Sequence, residues 1–287
     1  MKSFTRISIA RALTWTVVVA TAALCALPAS AAIILVSKGT IDAGTDTTGV
    51  FGAAGADLSG KTYKLMITYD DFSTAFHASS PTFEKQSGPV TGSLSVAVNG
   101  AALARTVTQS FGALLYVNNN GAFSELAGFQ TGDDASGQAL YAAHDLSSTS
   151  GTVTGPSIGM TGGYTTVTGD VGDVRFSTSG AAGAASFTAS PSAAWLVFPP
   201  PQLIAALTSY VQGLGLSRGI QTSFVAKLNT ALSYLASGNV AAAVQSINDF
   251  INEAKAQSGM ALTSAQASRM IGQAQSILFT IGVIYSA

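Results

Sequence analysis

Cysteine is nearly missing from this chain: Cys25 is the only one in 287 residues, and it sits in the apolar N-terminal run. Everything after that run is therefore without disulfides, thiolate metal sites or cysteine nucleophiles. Histidine is almost as scarce. With only His77 and His144, a three-histidine zinc site cannot form. Charge is thin as well, at 9% of residues, yet 47% are hydrophobic, which is too apolar for a disordered chain. The remainder is rich in Gly, Ser, Thr and Ala, as in exported bacterial proteins.

The N-terminus accounts for part of this. Lys2, Arg6 and Arg11 precede an apolar run from Ala12 to Leu27, Pro28 ends it, and small residues fill Ala29–Ala31. This pattern predicts a secretory signal peptide over residues 1–31, cleaved after Ala31. The run is shorter than the roughly 20 residues a spanning helix needs, so no transmembrane anchor is expected after cleavage. Leu24 is bulky where a lipoprotein signal needs a small residue before its cysteine. The expected location is secreted or periplasmic, within the cell envelope. Cleavage removes three of the 13 basic residues and no acidic one, leaving ten against 14, a net charge of −4. Nucleic acid is thus not an expected partner.

Two halves follow, with different periods. From residue 32 to 196 the chain reads as short strands. In Lys61–Asp70, Tyr63, Leu65, Ile67 and Tyr69 alternate with Lys64, Met66 and Thr68. Asn99 and Gly100 stand between two alternating runs, as a type I′ hairpin requires. About eight to ten strands without intervening helices predict an antiparallel β-sandwich. Residues 197–202, which include three consecutive prolines, predict an extended linker. From 203 to 287 the period becomes helical. Apolar stripes run through Ile204, Leu207 and Val211; Phe224, Leu228, Ala231 and Leu235; Val240, Val244, Ile247 and Ile251; and Ala267, Ile271, Ala274, Leu278 and Ile281. Ser217 is the expected N-cap of the second helix, Gly238 and Gly259 are stops, and Thr263 with Gln266 form a capping box. The expectation is an all-α four-helix bundle.

The residues Gly219–Leu232, Gly238–Gly259 and Leu262–Ala267 make this second half similar to the FIMAH domain, a helical module of bacterial membrane-associated hydrolases, over about residues 203–282. The resemblance implies an accessory module on an exported protein, with no catalytic residues to carry over. Gly39–Asp70 resembles the opening of uncharacterised exported β-domains of PEP-CTERM-type proteins. The final residues Ile281–Ala287 lack the Pro-Glu-Pro motif, span and basic cluster of that sorting tail.

Among chemical motifs, Gly55–Thr62 ("GADLSGKT") fits the phosphate-loop pattern at each fixed position. A phosphate loop leaves a strand and enters a helix whose N–H groups face the phosphates, whereas here a strand is expected after Lys61, so no nucleotide is expected to bind. Gly155–Gly159 ("GPSIG") fits a nucleophile elbow, but no histidine follows Ser157 to complete a triad. His144 and Asp145 are neighbours on an expected strand and must point to opposite faces; His144 reads as a surface or strand-end residue. The stretch Asp70–Gly92 reads as a long connection carrying Phe72, Phe76, His77 and Phe83, candidate binding residues whose rings could stack on sugars. Asp70, Asp71, Asp170 and Asp173 are candidate ligands for a structural calcium ion, although none has the spacing of a known calcium loop. No other cofactor is expected. The function expected is a non-enzymatic binding or interaction protein outside the cytoplasm, acting on cell-surface polysaccharide or envelope proteins. The alternative is a secreted, carboxylate-based glycoside hydrolase in which Asp70 or Asp71 meets Asp133 or Asp134.

Overall fold

The computed structural model of the protein describes residues 32–71, 75–120, 123–149, 162–180 and 183–286. The expected signal peptide, Phe72 and the "GPSIG" segment lie outside the described residues. Thirteen strands come first: β1 Ile33–Asp46, β2 Ala56–Asp57, β3 Thr62–Tyr69, β4 Phe76–Ser79, β5 Phe83–Gly88, β6 Gly92–Val98, β7 Ala101–Val107, β8 Gln109–Asn119, β9 Ser124–Asp133, β10 Ala139–Ser148, β11 Gly162–Thr165, β12 Val171–Gly180 and β13 Gly183–Val197. Four helices follow: α1 Pro200–Gln212, α2 Arg218–Ala236, α3 Val240–Gln257 and α4 Ser264–Tyr285. The β-then-α architecture agrees with the sequence pattern. The strands outnumber the expected eight to ten, partly because the supposed long connection after Asp70 contains the β4–β5 hairpin.

All strand pairs are antiparallel, in the order β4-β5-β8-β9-β10-β12-β13-β1-β3-β6-β7, with β2 on β1 and β11 on β13. The sheet folds over on itself into two layers. At Thr108 the chain passes from β7 directly into β8, and the Thr108 amide donates to the Asp133 carbonyl at the end of β9. Facing side chains then meet across the interior. The Tyr69 hydroxyl of β3 donates to the Leu114 carbonyl of β8, and Gln130 of β9 donates to the Val90 carbonyl. A Cβ at Gly128 of β9 would lie 2.7 Å from both Leu35 Cδ2 of β1 and the Tyr69 hydroxyl, so only glycine lets the layers come this close.

Alternation decides the interior. In β3, β6, β9 and β10 every second residue is buried, and Leu65, Ile67, Leu94, Val96, Leu115, Leu140 and Leu146 form the packed centre. The expected I′ hairpin is present: Asn99 (φ 48°) and Gly100 (φ 87°) join Val98 to its partner Ala101.

The three prolines do not act as an extended linker. Strand β13 continues to Val197 and α1 begins at Pro200, because proline is well suited to the first turn of a helix, where its missing N–H has no intrahelical partner. Buried Phe198 belongs to an apolar cluster that runs from the sandwich into the bundle. In the bundle, Phe224 of α2 meets Phe250 of α3 edge-on with centroids 5.1 Å apart. The Thr263–Gln266 capping box forms in full, and Gly238 and Gly259 adopt positive φ just past their helices. Ser217 stands at the N-cap of α2 without a side-chain capping bond, whereas Asn239 caps α3 by accepting from the Ala242 amide.

The outer faces of the two layers differ. On β1 and β13, Ile34, Val36 and Val197 are buried against Val283 of α4, with Met66, Trp195 and Ile284 packed around them. The last turn of α4 thus covers the part of this face around Ile34, Val36 and Val197. No helix among the described residues is long and apolar enough to cross a membrane.

Candidate functional site

The other layer, β5-β8-β9-β10-β12, carries its outward residues in rows set by strand register. One row reads Lys85, Tyr116, Ala127, Asp145, Asp173, and the next reads Ser87, Leu114, Phe129, Ala143, Arg175. Phe83 pairs with Asn118, which is followed by Glu125, and Tyr141 pairs with Thr131. None of these residues is buried. Their inward neighbours Leu115, Leu126, Leu140 and Leu146 are, so among the described residues this sheet face is open, whereas α4 covers the part of the opposite one around Ile34, Val36 and Val197.

Aromatic rings are spread over it. Phe83 and Tyr116 lie with centroids 6.2 Å apart at 40°. Phe129 lies across Gly112, where a Cβ would touch its ring edge at 3.6 Å, so the missing side chain gives the ring a flat seat. Phe76 is 63% exposed, and Phe111 is 60% exposed at a bulge that interrupts the β8–β9 register between Ser110 and Gly112.

The charges are arranged against ordinary stability. Asp145 and Asp173 are directly opposed on antiparallel strands, a pairing that costs stability. Asp173 is met by Arg175 at 2.6 Å. Glu125 and Asp145 have no basic partner within salt-bridge distance among the described residues. Burial, then the charge of Asp145, raises the Glu125 pKa above the usual carboxylate range; burial, then Asp173, raises that of Asp145. Burial and the Glu125 charge also push Tyr116 up. Outward aromatic rings beside carboxylates that have no basic partner among the described residues can stack on flat, weakly hydrated surfaces and accept hydrogen bonds or pair with cations.

The residues expected from sequence are divided by this geometry. Phe76 and Phe83 are on the open face. His77 turns to the opposite side of the β4–β5 hairpin, where its Nε2 lies 3.0 Å from Glu84 Oε1. Asp170 accepts from the Tyr164 hydroxyl and the Val167 amide and closes the β11–β12 turn, while Asp173 pairs with Arg175. Asp70 and Asp71 follow the end of β3. These four aspartates do not gather, and no group of three potential metal ligands exists among the described residues. Of the carboxylates in the hydrolase alternative, Asp134 is engaged in its own turn, accepting from the Ser136 amide and hydroxyl and the Gln138 amide, 3.6 Å from Arg105. Those bonds, led by the Ser136 hydroxyl, lower its pKa, the wrong direction for a general acid.

The phosphate-loop pattern is a turn. Asp57 accepts from Ser59, Leu58 is buried, and β3 begins at Thr62. His144 and Asp145 do face opposite sides, but His144 is not a surface or strand-end residue. It is fully buried in the middle of β10, between Gly128 of β9 and Val174 of β12. Its spacing from Leu140, Ala142 and Leu146, all inward, was the available sign. Tyr116, Phe129, Tyr141, Glu125 and Asp145 had none, because only register brings them together. The chain matches no protein-family profile, no curated protein and no solved structure.

Proposed function

We propose that this protein is a non-catalytic polysaccharide-binding protein of the cell exterior or envelope, and that the outer face of β5-β8-β9-β10-β12 is its binding surface. The observation that carries the reading is the aromatic face, with Phe83, Tyr116, Phe129 and Tyr141 all outward and none buried, while on the other layer the apolar outward residues Ile34, Val36 and Val197 are packed under α4. A pyranose presents flat C–H faces that pack on aromatic rings and a rim of hydroxyls that hydrogen-bond to groups such as Asn118, Glu125 and Asp145. Export is supported by the charged start, apolar run and small residues at 29–31, and the FIMAH-like character of the bundle agrees with an accessory module on an exported chain. The sandwich is the recognition half in this reading, and the bundle an appendage docked on its other layer through the last turn of α4.

The test is depletion of the protein (residues 32–287) from solution by insoluble polysaccharides and retardation in gels containing soluble ones. The comparison is a Phe83→Ala, Tyr116→Ala, Phe129→Ala variant whose fold is checked by circular dichroism. Binding to at least one polysaccharide by the parent, lost in the folded variant, is expected. Retention by the variant, or no binding by the parent, contradicts the reading.

A further inference from the structure

The strand order ends at β7, so one side of that strand has no neighbouring strand among the described residues. Val98 and Ala101 flank the two-residue Asn99–Gly100 turn and bond to each other. Along β7 the N–H and C=O groups of Leu103, Arg105 and Val107 therefore face β6, and those of Ala102, Ala104 and Thr106 face outward. The next outward N–H in the series, that of Thr108, is taken by the Asp133 carbonyl. Ala102, Ala104 and Thr106 are exposed, small and uncharged, and β7 contains neither proline nor lysine. An edge of this kind is a template for another strand.

Arg105 is the one charged residue of β7, and register places it on the inner face: it is opposite Leu94 and between Leu103 and Val107, all three buried. An apolar residue would complete that row. Instead the arginine side chain, 41% exposed, turns out over the free edge. Its Nη1 donates to the outward carbonyl oxygen of Ala104 at 3.0 Å, and its Nε lies 3.6 Å from Asp134 Oδ2 in the β9–β10 turn. Asp134 is itself fixed by the Ser136 amide and hydroxyl and the Gln138 amide. An exposed ion pair of this length adds little stability. Its effect is the place it gives the guanidinium, across the middle of the edge.

We propose that Arg105, positioned by Asp134, is a latch that keeps the β7 edge shut, and that without it β7 pairs antiparallel with the β7 of a second copy. The latch lies in the layer opposite the proposed polysaccharide site and is independent of that reading. Two β7 strands related by a two-fold axis are self-complementary, and their pairing uses up the edge, so assembly stops at a dimer. With the latch closed, an incoming β7 meets an occupied carbonyl and brings a second guanidinium beside the first, an unfavourable like-charge approach.

The experiment is analytical sedimentation of the protein (residues 32–287) over a concentration series, with amide exchange over 101–107 followed by mass spectrometry. The variants are Arg105→Thr and Arg105→Ser, which remove the guanidinium at an exposed position, and Arg105→Thr combined with Ala104→Pro. The proline replaces an outward N–H and leaves the β6–β7 bonds in place. Circular dichroism checks each fold. The parent should stay monomeric. Arg105→Thr and Arg105→Ser should each become dimeric as concentration rises, with exchange over 101–107 slowed by about tenfold in the dimer, and the Ala104→Pro combination should be monomeric again. A dimeric parent, a folded Arg105→Thr or Arg105→Ser that stays monomeric or forms assemblies larger than a dimer, a dimer with unchanged exchange over 101–107, or a dimer that survives Ala104→Pro overturns the proposal.

Discussion

Lys64, on the outer face of β3, donates its ammonium to the carbonyl oxygen of Ile284 in the last turn of α4 at 2.6 Å, and to that of Ser286 at the same distance. Lys38, directly opposite Lys64 in register, donates to the Ser286 hydroxyl. Two like charges side by side on a sheet are unfavourable by themselves. Here both are at the negative end of a helix dipole, whose final carbonyls lack intrahelical donors. Burial, with Lys38 adding to it, lowers the Lys64 pKa to about 8. Together with Val283 packed on Ile34, Val36 and Val197, this contact joins the bundle to the sandwich.

Lys64→Met should therefore cost about 1 kcal/mol, since the carbonyls it leaves are near water. Amide exchange over 281–285 should speed up while that of α2 is unchanged. Val283→Asp should cost about 3 kcal/mol or more by placing an unpaired charge in the junction. Exchange rates measured by mass spectrometry check both.

His144 should make the fold acid-sensitive. Both its ring nitrogens are without a hydrogen-bond partner among the described residues, and burial lowers its pKa to about 3. The folded protein keeps this imidazole neutral down to that value, whereas the unfolded chain protonates it below about 6.5. Stability is complete above the unfolded value and is lost as pH falls from there towards 3. Denaturant titrations at about pH 7 and pH 5 should show the parent losing about 2 kcal/mol that a His144→Leu variant does not lose. Parallel pH profiles for the two would contradict this.

Gly100→Ala should cost about 1–2 kcal/mol, because φ 87° strains any side chain although the space around the position is open. Asn99→Ala should add the loss of the Oδ1 acceptor used by the Thr62 amide and hydroxyl. Thermal unfolding of both variants measures these costs.

Asp46 is buried, and its carboxylate accepts from the amides of Thr48, Gly49 and Phe51 and from the Thr48 hydroxyl. This network shapes the loop that places Phe51 edge-on against Phe176, with centroids 6.2 Å apart. Asp46→Asn turns one acceptor into a donor facing donors. A loss of about 2–3 kcal/mol is expected from chemical denaturation.

Local rules account for what could be read in the sequence. The Asn99–Gly100 turn, the capping box at Thr263 and the strand after Lys61 each depend on a few adjacent residues, and each is present. The α4 stripe shows where local reading slips. Met270 and Ile277 are fully buried, in place of Ile271 and Leu278 one position on, because an apolar run this continuous has more than one plausible face. Likewise Phe250, the largest buried residue of α3, lies outside the stripe the spacing suggested. The candidate site was the least legible part. Phe76 and Phe83 were visible as aromatics in a segment of their own, but Tyr116, Phe129, Tyr141, Glu125 and Asp145 come from three strands, and their common face depends on long-range register that no local pattern encodes.

The proposed polysaccharide site is the outer face of β5-β8-β9-β10-β12. Its most direct measurement is an NMR titration of the isotope-labelled protein with soluble oligosaccharides, following backbone amides. With the polysaccharide on this face, shifts are expected at 114–118, 125–131 and 141–145, with residues 34–38 and 64–66 beside α4 unmoved. Shifts confined to the bundle or to the covered face, or no shifts with any oligosaccharide, would contradict it.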